Sequence, residues 1–133
     1  MMDMVISFPG GMRVDAEFNG ATVKTDQSMP GGGEGLAPSP FTMFLASIGT
    51  CAGVYVLGFL RKRSLPTEGV RLVQRMDANP FTGLVESITL EVQLPPSIPE
   101  KYHTAVVRAA ELCKVKKHLA NPPEVKVEAA AGD

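Results

Sequence analysis

The spacing of apolar positions makes the first part of the chain a set of strands. In residues 4–26 apolar and polar side chains alternate, with breaks at Pro9-Gly10-Gly11 and Asn19-Gly20, which are tight-turn residues. In the middle strand Arg13, Asp15 and Glu17 share one face, and Val14, Ala16 and Phe18 share the other. The pattern predicts a three-stranded β meander. Residues 27–38 carry Pro30-Gly31-Gly32-Gly33-Glu34-Gly35 and Pro38 without periodicity, and a mobile loop is expected there.

Ser39-Pro40 offers an N-cap followed by proline at the first helical position, so a helix is predicted to open here. No residue from 41 to 60 is charged; Arg61-Lys62-Arg63 closes the run and Ser64-Leu65-Pro66 stops it. A helix apolar nearly all round is either a membrane span or the core of a soluble fold. Gly49, Gly53, Gly58, Thr42, Ser47 and Thr50 lower its hydrophobicity, and the flanking amphipathic strands need a core to cover, so a central buried helix is expected.

Residues 70–77 alternate, a turn follows at Asn79-Pro80-Phe81-Thr82-Gly83, and Ile88, Leu90, Val92 and Leu94 then face one way while Ser87, Thr89, Glu91 and Gln93 face the other. This predicts a second antiparallel hairpin, ended by Pro95-Pro96-Ser97-Ile98-Pro99. Tyr102, Ala105, Val106, Ala109, Leu112 and Cys113 then recur at helical spacing, which puts Cys113 on a buried stripe. A basic stretch at 114–118 leads through Asn121-Pro122-Pro123 to residues 124–128, which alternate as a short final strand, and the Ala/Gly end is expected to fray. The order β-β-β, α, β-β, α, β argues an α+β fold. Antiparallel sheets pack on a long central helix carrying Cys51 and on a second helix leading to Cys113.

At 133 residues and 14.2 kDa, with 44% hydrophobic residues, the chain is large enough for one core, so a single domain over 1–133 is expected. A net charge of -1, no Trp and 6% aromatics argue against a nucleic-acid binder. Nothing at the start reads as a signal peptide, so a cytoplasmic, reducing setting with no membrane partner is the default. A disulfide there would be a working one.

The glycine-rich loop lacks the Lys and Ser/Thr of a P-loop, no Gly-x-Ser-x-Gly elbow is present, and the spacing of His103, His118, Cys51 and Cys113 fits no metal site. No metal or cofactor is expected. The cysteine pair remains. Each cysteine reads either as a small buried hydrophobe or as a reactive thiol. Cys51 lies about three turns into its helix, too deep for that helix's N-terminus to lower its pKa, so a reactive Cys51 needs a cation from elsewhere. Its neighbours Gly49 and Gly53 indicate either close packing or access to the sulfur. Lys114, Lys116 and Lys117 would favour a Cys113 thiolate if that sulfur lies near the surface.

Ser39-Pro40-Phe41-Thr42-Met43-Phe44-Leu45-Ala46-Ser47-Ile48-Gly49-Thr50-Cys51 resembles the segment around the first cysteine of the OsmC/Ohr family, the osmotically inducible and organic hydroperoxide resistance proteins. Cys113-Lys114-Val115, with Leu119, Asn121 and Glu124-Val125-Lys126-Val127, resembles the segment around the second. The resemblance implies an intertwined homodimer and a thiol peroxidase. Cys51 attacks the peroxide, Cys113 captures the resulting sulfenic acid as a disulfide, and an external dithiol resets the pair. It also implies an apolar pocket for organic hydroperoxides, for which Phe41, Phe44, Ile48 and Tyr55 are the candidate wall.

Two departures stand out. Family peroxidases pair the thiolate with an arginine held by a glutamate just after the helix-opening proline; here Phe41 takes the glutamate position. Arg13, in the first hairpin, is the match for the arginine, with Glu34 as a candidate holder; otherwise Arg13 is an exposed strand residue. The rival function is a non-catalytic member of the family that binds a small apolar ligand in the dimer-interface cavity.

Overall fold

A computed structural model describes residues 2–132. The chain divides into two compact units, Met1–Ser47 and Ile48–Asp133, with the boundary inside the long helix.

In the first unit, β1 (Val5–Gly10), β2 (Arg13–Phe18) and β3 (Ala21–Thr25) form an antiparallel sheet in that order, with Ala16 opposite both Ile6 and Val23. Asn19 and Gly20 both take positive φ, 49° and 78°, which is the backbone of a two-residue hairpin turn. The mobile loop expected over 27–38 is instead fastened. Asp26, 1% exposed, accepts hydrogen bonds from the backbone N–H of Gln27 (2.7 Å), Leu36 (3.1 Å) and Glu34 (3.3 Å), and its own N–H donates to the Pro38 carbonyl at 3.2 Å. A Cβ at Gly33 would overlap the Gln27 carbonyl and come within 2.6 Å of the Asp26 carboxylate, so this close approach requires glycine. The missing periodicity gave no sign of the anchor, because a buried carboxylate replaces apolar packing as the organiser.

The Leu36 N–H, against the opposing effect of burial, and then the Gln27 and Glu34 N–H groups and the Arg13 charge hold the Asp26 carboxyl below its ordinary range. A depressed folded-state pKa contributes stability above the unfolded value, about 3.9, that is lost as pH falls through the folded value. Asp26→Asn, which points an NH2 at backbone donors, is therefore expected to melt lower than the parent at pH 7, with the gap closing below about pH 4. Thermal melts at pH 7 and 3 check this; a gap independent of pH would assign the loop to geometry rather than charge.

Helix α1 (Pro40–Lys62) opens as predicted, with the Ser39 Oγ accepting from the Thr42 N–H at 3.2 Å. It closes at Ser64, whose φ of 54° turns the chain so that the Leu65 N–H donates to the Leu60 carbonyl at 2.9 Å. By length and composition it is the one helix among the described residues that is long and apolar enough to cross a membrane. It is not buried all round within the chain. Its core residues Ile48, Ala52, Val56 and Leu60 recur every four positions as a single stripe, while Val54 and Leu57 stay exposed.

The second unit pairs β4 (Arg71–Ala78) with β5 (Val85–Gln93), register Gln74 to Leu90, and adds α2 (His103–Glu111) and α3 (Lys114–Ala120). The α1 stripe meets Ile98, Val106, Ala110 and Cys113, with Leu72, Leu90 and Val92 packed against this core. Two sequence expectations change. The helix leading to Cys113 stops at Glu111, and Cys113 sits in extended backbone (φ -49°, ψ 129°) before α3, where its carbonyl accepts from the Lys117 N–H at 3.0 Å. The final strand over 124–128 does not form: Val125 and Val127 are 81% and 94% exposed, since alternation yields a strand only beside a ladder that satisfies its backbone.

Candidate functional site

Cys51 lies half-buried on α1, one turn after Ile48, and both cysteines are free thiols. The break between α2 and α3 brings Cys113 to it. The Cys113 Sγ stands 3.9 Å from the Ile48 carbonyl, and the start of α3 presents its backbone N–H groups to the Cys51 sulfur. Gly49 serves close packing here: a Cβ would stand 2.5 Å from Gln74 Oε1 on β4. Gly53 and Gly58 face open space.

The two thiols are driven apart in acidity. The Val115 N–H, then the Cys113 thiol, and after the opposing effect of burial the Lys114 N–H and the Lys114 charge, hold Cys51 below the ordinary thiol value. Cys113 is pushed up, first by burial at 1% exposure and then by its hydrogen bond to Cys51 and the negative charge there, against the N–H groups of Lys116 and Val115. The condition on which the lysines after Cys113 would favour its thiolate, a sulfur near the surface, is not met, because Cys113 is buried. The help falls on Cys51, mostly from backbone dipoles rather than a cation. Sequence reasoning missed Val115 and Lys114 as partners of Cys51, and the only signal available was that a basic run begins at Lys114.

A cavity of about 350 Å³ opens beside Cys113, walled by Ile48, Leu90, Val92 and Val107, with exposed Glu111 and Lys116 at its rim. Of the four residues proposed as a pocket wall, Ile48 lines this cavity, and Tyr55 lines a separate cleft with Val54, Gly58 and Phe59. Phe41 and Phe44 belong to the first unit, their rings stacked at 5.8 Å and exposed. Arg13, also in the first unit and exposed, donates from Nε to the Gly10 carbonyl at 3.3 Å, and its charge acts on Asp26. Among the described residues it makes no ion pair with Glu34, which gives its backbone N–H to Asp26. The described residues hold no cluster of His, Cys, Asp and Glu able to take a metal.

A family model described as OsmC-like protein matches residues 31–128. No curated protein sequence matches the chain. Solved structures share its fold. One is a Psychrobacter arcticus protein described, provisionally, as an osmotic stress induced and detoxification response protein. It is 20% identical at a TM-score of 0.67, over 88% of this chain and 87% of that one. A hypothetical protein of Aquifex aeolicus is 17% identical at TM-score 0.64, over 92% and 89%. A Legionella pneumophila protein described as an organic hydroperoxide resistance protein OsmC and predicted redox protein is 19% identical at TM-score 0.52, over 88% of each chain.

Proposed function

Since the chain belongs to the OsmC-like family, we propose that it is a thiol-dependent peroxidase that reduces organic hydroperoxides or hydrogen peroxide in oxidative stress defence. The split acidity of Cys51 and Cys113 carries this reading, because a peroxidase needs one thiolate to attack and one thiol held in reserve. The description of the Legionella relative as a redox protein agrees with it.

The Cys51 thiolate attacks the distal peroxide oxygen. The O–O bond breaks, the alkoxide takes up a proton and leaves as the alcohol, and the sulfur is left as sulfenic acid. Loss of charge at Cys51 removes two of the three influences that keep Cys113 protonated, leaving burial. The Cys113 sulfur then attacks the sulfenic sulfur, a disulfide forms, and water leaves with the Cys113 proton. An external dithiol restores both thiols by exchange, which suits a reducing, cytoplasmic compartment.

The active form in this proposal is a homodimer. Val54 and Leu57 on α1, and Ile6 and Phe8 on β1, are exposed apolar side chains that a second copy would cover.

Mass spectrometry before and after one equivalent of cumene hydroperoxide tests the cycle. The parent is expected to lose two hydrogens, Cys113→Ser to carry a sulfenic acid, and Cys51→Ser to stay unchanged. An unchanged parent mass, under conditions that oxidise a control peroxidase, would overturn the reading. It would favour the alternative of an apolar-ligand binder, which the cavity beside Cys113 and Phe41 in place of the family glutamate support.

A further inference from the structure

The cavity of about 350 Å³ in the second unit touches the resolving thiol and not the attacking one: Cys113 is among its lining residues and Cys51 is not. Its volume falls at the lower end of the range for small-molecule sites. Its walls are aliphatic, with Leu90 on β5 and Val107 on α2 as two of them. At the rim Glu111 and Lys116 supply one charge of each sign; Lys116 stands on a helix whose other charged residues, Lys114 and Lys117, are also basic, and among the described residues neither Glu111 nor Lys116 is engaged in an ion pair. An aliphatic chain ending in a negative charge matches both features.

We propose that this cavity binds an aliphatic carboxylic acid, its chain against Leu90 and Val107 and its carboxylate at Lys116, and that occupancy slows capture of the Cys51 sulfenic acid by Cys113. The second half rests on the peroxidase reading above; the binding itself does not. Resolution requires the Cys113 sulfur to give up its proton and form the S–S bond while water leaves the sulfenic sulfur. Cys113 is already 1% exposed, and an apolar chain filling the space beside it keeps water away from the departing proton, which disfavours the charged sulfur. Attack on the peroxide takes place at Cys51, outside the cavity lining, and proceeds as before. A sulfenic acid that outlives its resolving partner reacts with a second hydroperoxide, which oxidises it to sulfinic acid and leaves as the alcohol. The ligand thereby sets how readily the enzyme is overoxidised.

Decanoate, below its micellar concentration, is the probe, titrated into the reduced, methyl-labelled full-length protein and followed by NMR. Saturable shifts are expected at the Ile48, Leu90 and Val107 methyls. Val107→Trp, which fills the cavity at a half-exposed position, and Lys116→Glu, on the surface, should each weaken binding about tenfold, the equivalent of 1.4 kcal/mol. Absence of saturable shifts at these methyls, or unweakened binding in Val107→Trp, overturns the site, and equal affinity for 1-decanol overturns the role of the carboxylate. Rapid-quench mass spectrometry with cumene hydroperoxide then reads the second half. With decanoate bound, sulfenic acid is expected to form at the same rate, the disulfide more slowly, and sulfinic acid to accumulate; an unchanged disulfide rate overturns control of resolution. A protein that cumene hydroperoxide leaves unoxidised would sink the peroxidase reading, while the NMR titration still decides the ligand site.

Discussion

Iodoacetamide labelling followed against pH is expected to modify Cys51 with an apparent pKa below that of an ordinary thiol, and Cys113 only at higher pH. The two sulfurs titrate as a pair, so the macroscopic values belong to both, but their order follows from the surroundings. Cys51 receives the Val115 N–H and the Cys113 thiol, each of which favours its charged form, whereas Cys113 is buried and faces that charge. Cys113→Ala removes a donor and should raise the Cys51 pKa, slowing its reaction with hydroperoxide at neutral pH about tenfold, on the scale of one hydrogen bond to a charged group. Cys113→Ser keeps an O–H donor and should leave the Cys51 titration closer to the parent. A raised pKa in both variants would mean that Cys113 acts by shape rather than by donating its proton. Lys114→Gln should raise the Cys51 pKa more weakly, since it removes the charge and keeps the backbone N–H.

Leu60→Ala is expected to cost about 2–5 kcal/mol, the range for truncating a fully buried leucine, and to lower Tm by roughly 10 °C or more. Leu60 is 1% exposed and ends the α1 stripe against Ile98 and Val106 in the core. Val54, two positions before Val56 on the same helix, is 64% exposed and should respond differently. Val54→Glu leaves the stripe of Ile48, Ala52, Val56 and Leu60 intact, so circular dichroism should report a folded chain. Light scattering should fall from twice the 14.2 kDa chain mass to a single chain, because a charge buried in an apolar interface without a partner is strongly disfavoured. A parent that already scatters as a monomer, or a variant that stays dimeric, would overturn the proposed assembly.

The alternating positions of β2 and β5, the Asn19-Gly20 turn and the Ser39-Pro40 helix start were all legible in the sequence, because each rests on residues within a few positions of one another. So were the two cysteines as the candidate pair for chemistry, and the resemblance to the family whose model the chain matches. Residues 124–128 show the limit of that reading, since their alternation is a preference and the structure gives them no ladder. The break after Glu111 marks the same limit from the other side. No Gly or Pro lies between Glu111 and Lys114 to announce it, and periodicity carried the helix straight through Cys113. Local pattern by itself determined the elements, the long apolar helix and the candidate thiols. Which thiol is the more acidic was decided only in the tertiary structure, because acidity depends on the burial of Cys113 and on the amides of Val115 and Lys114, groups more than sixty positions from Cys51 that meet it only when the chain folds.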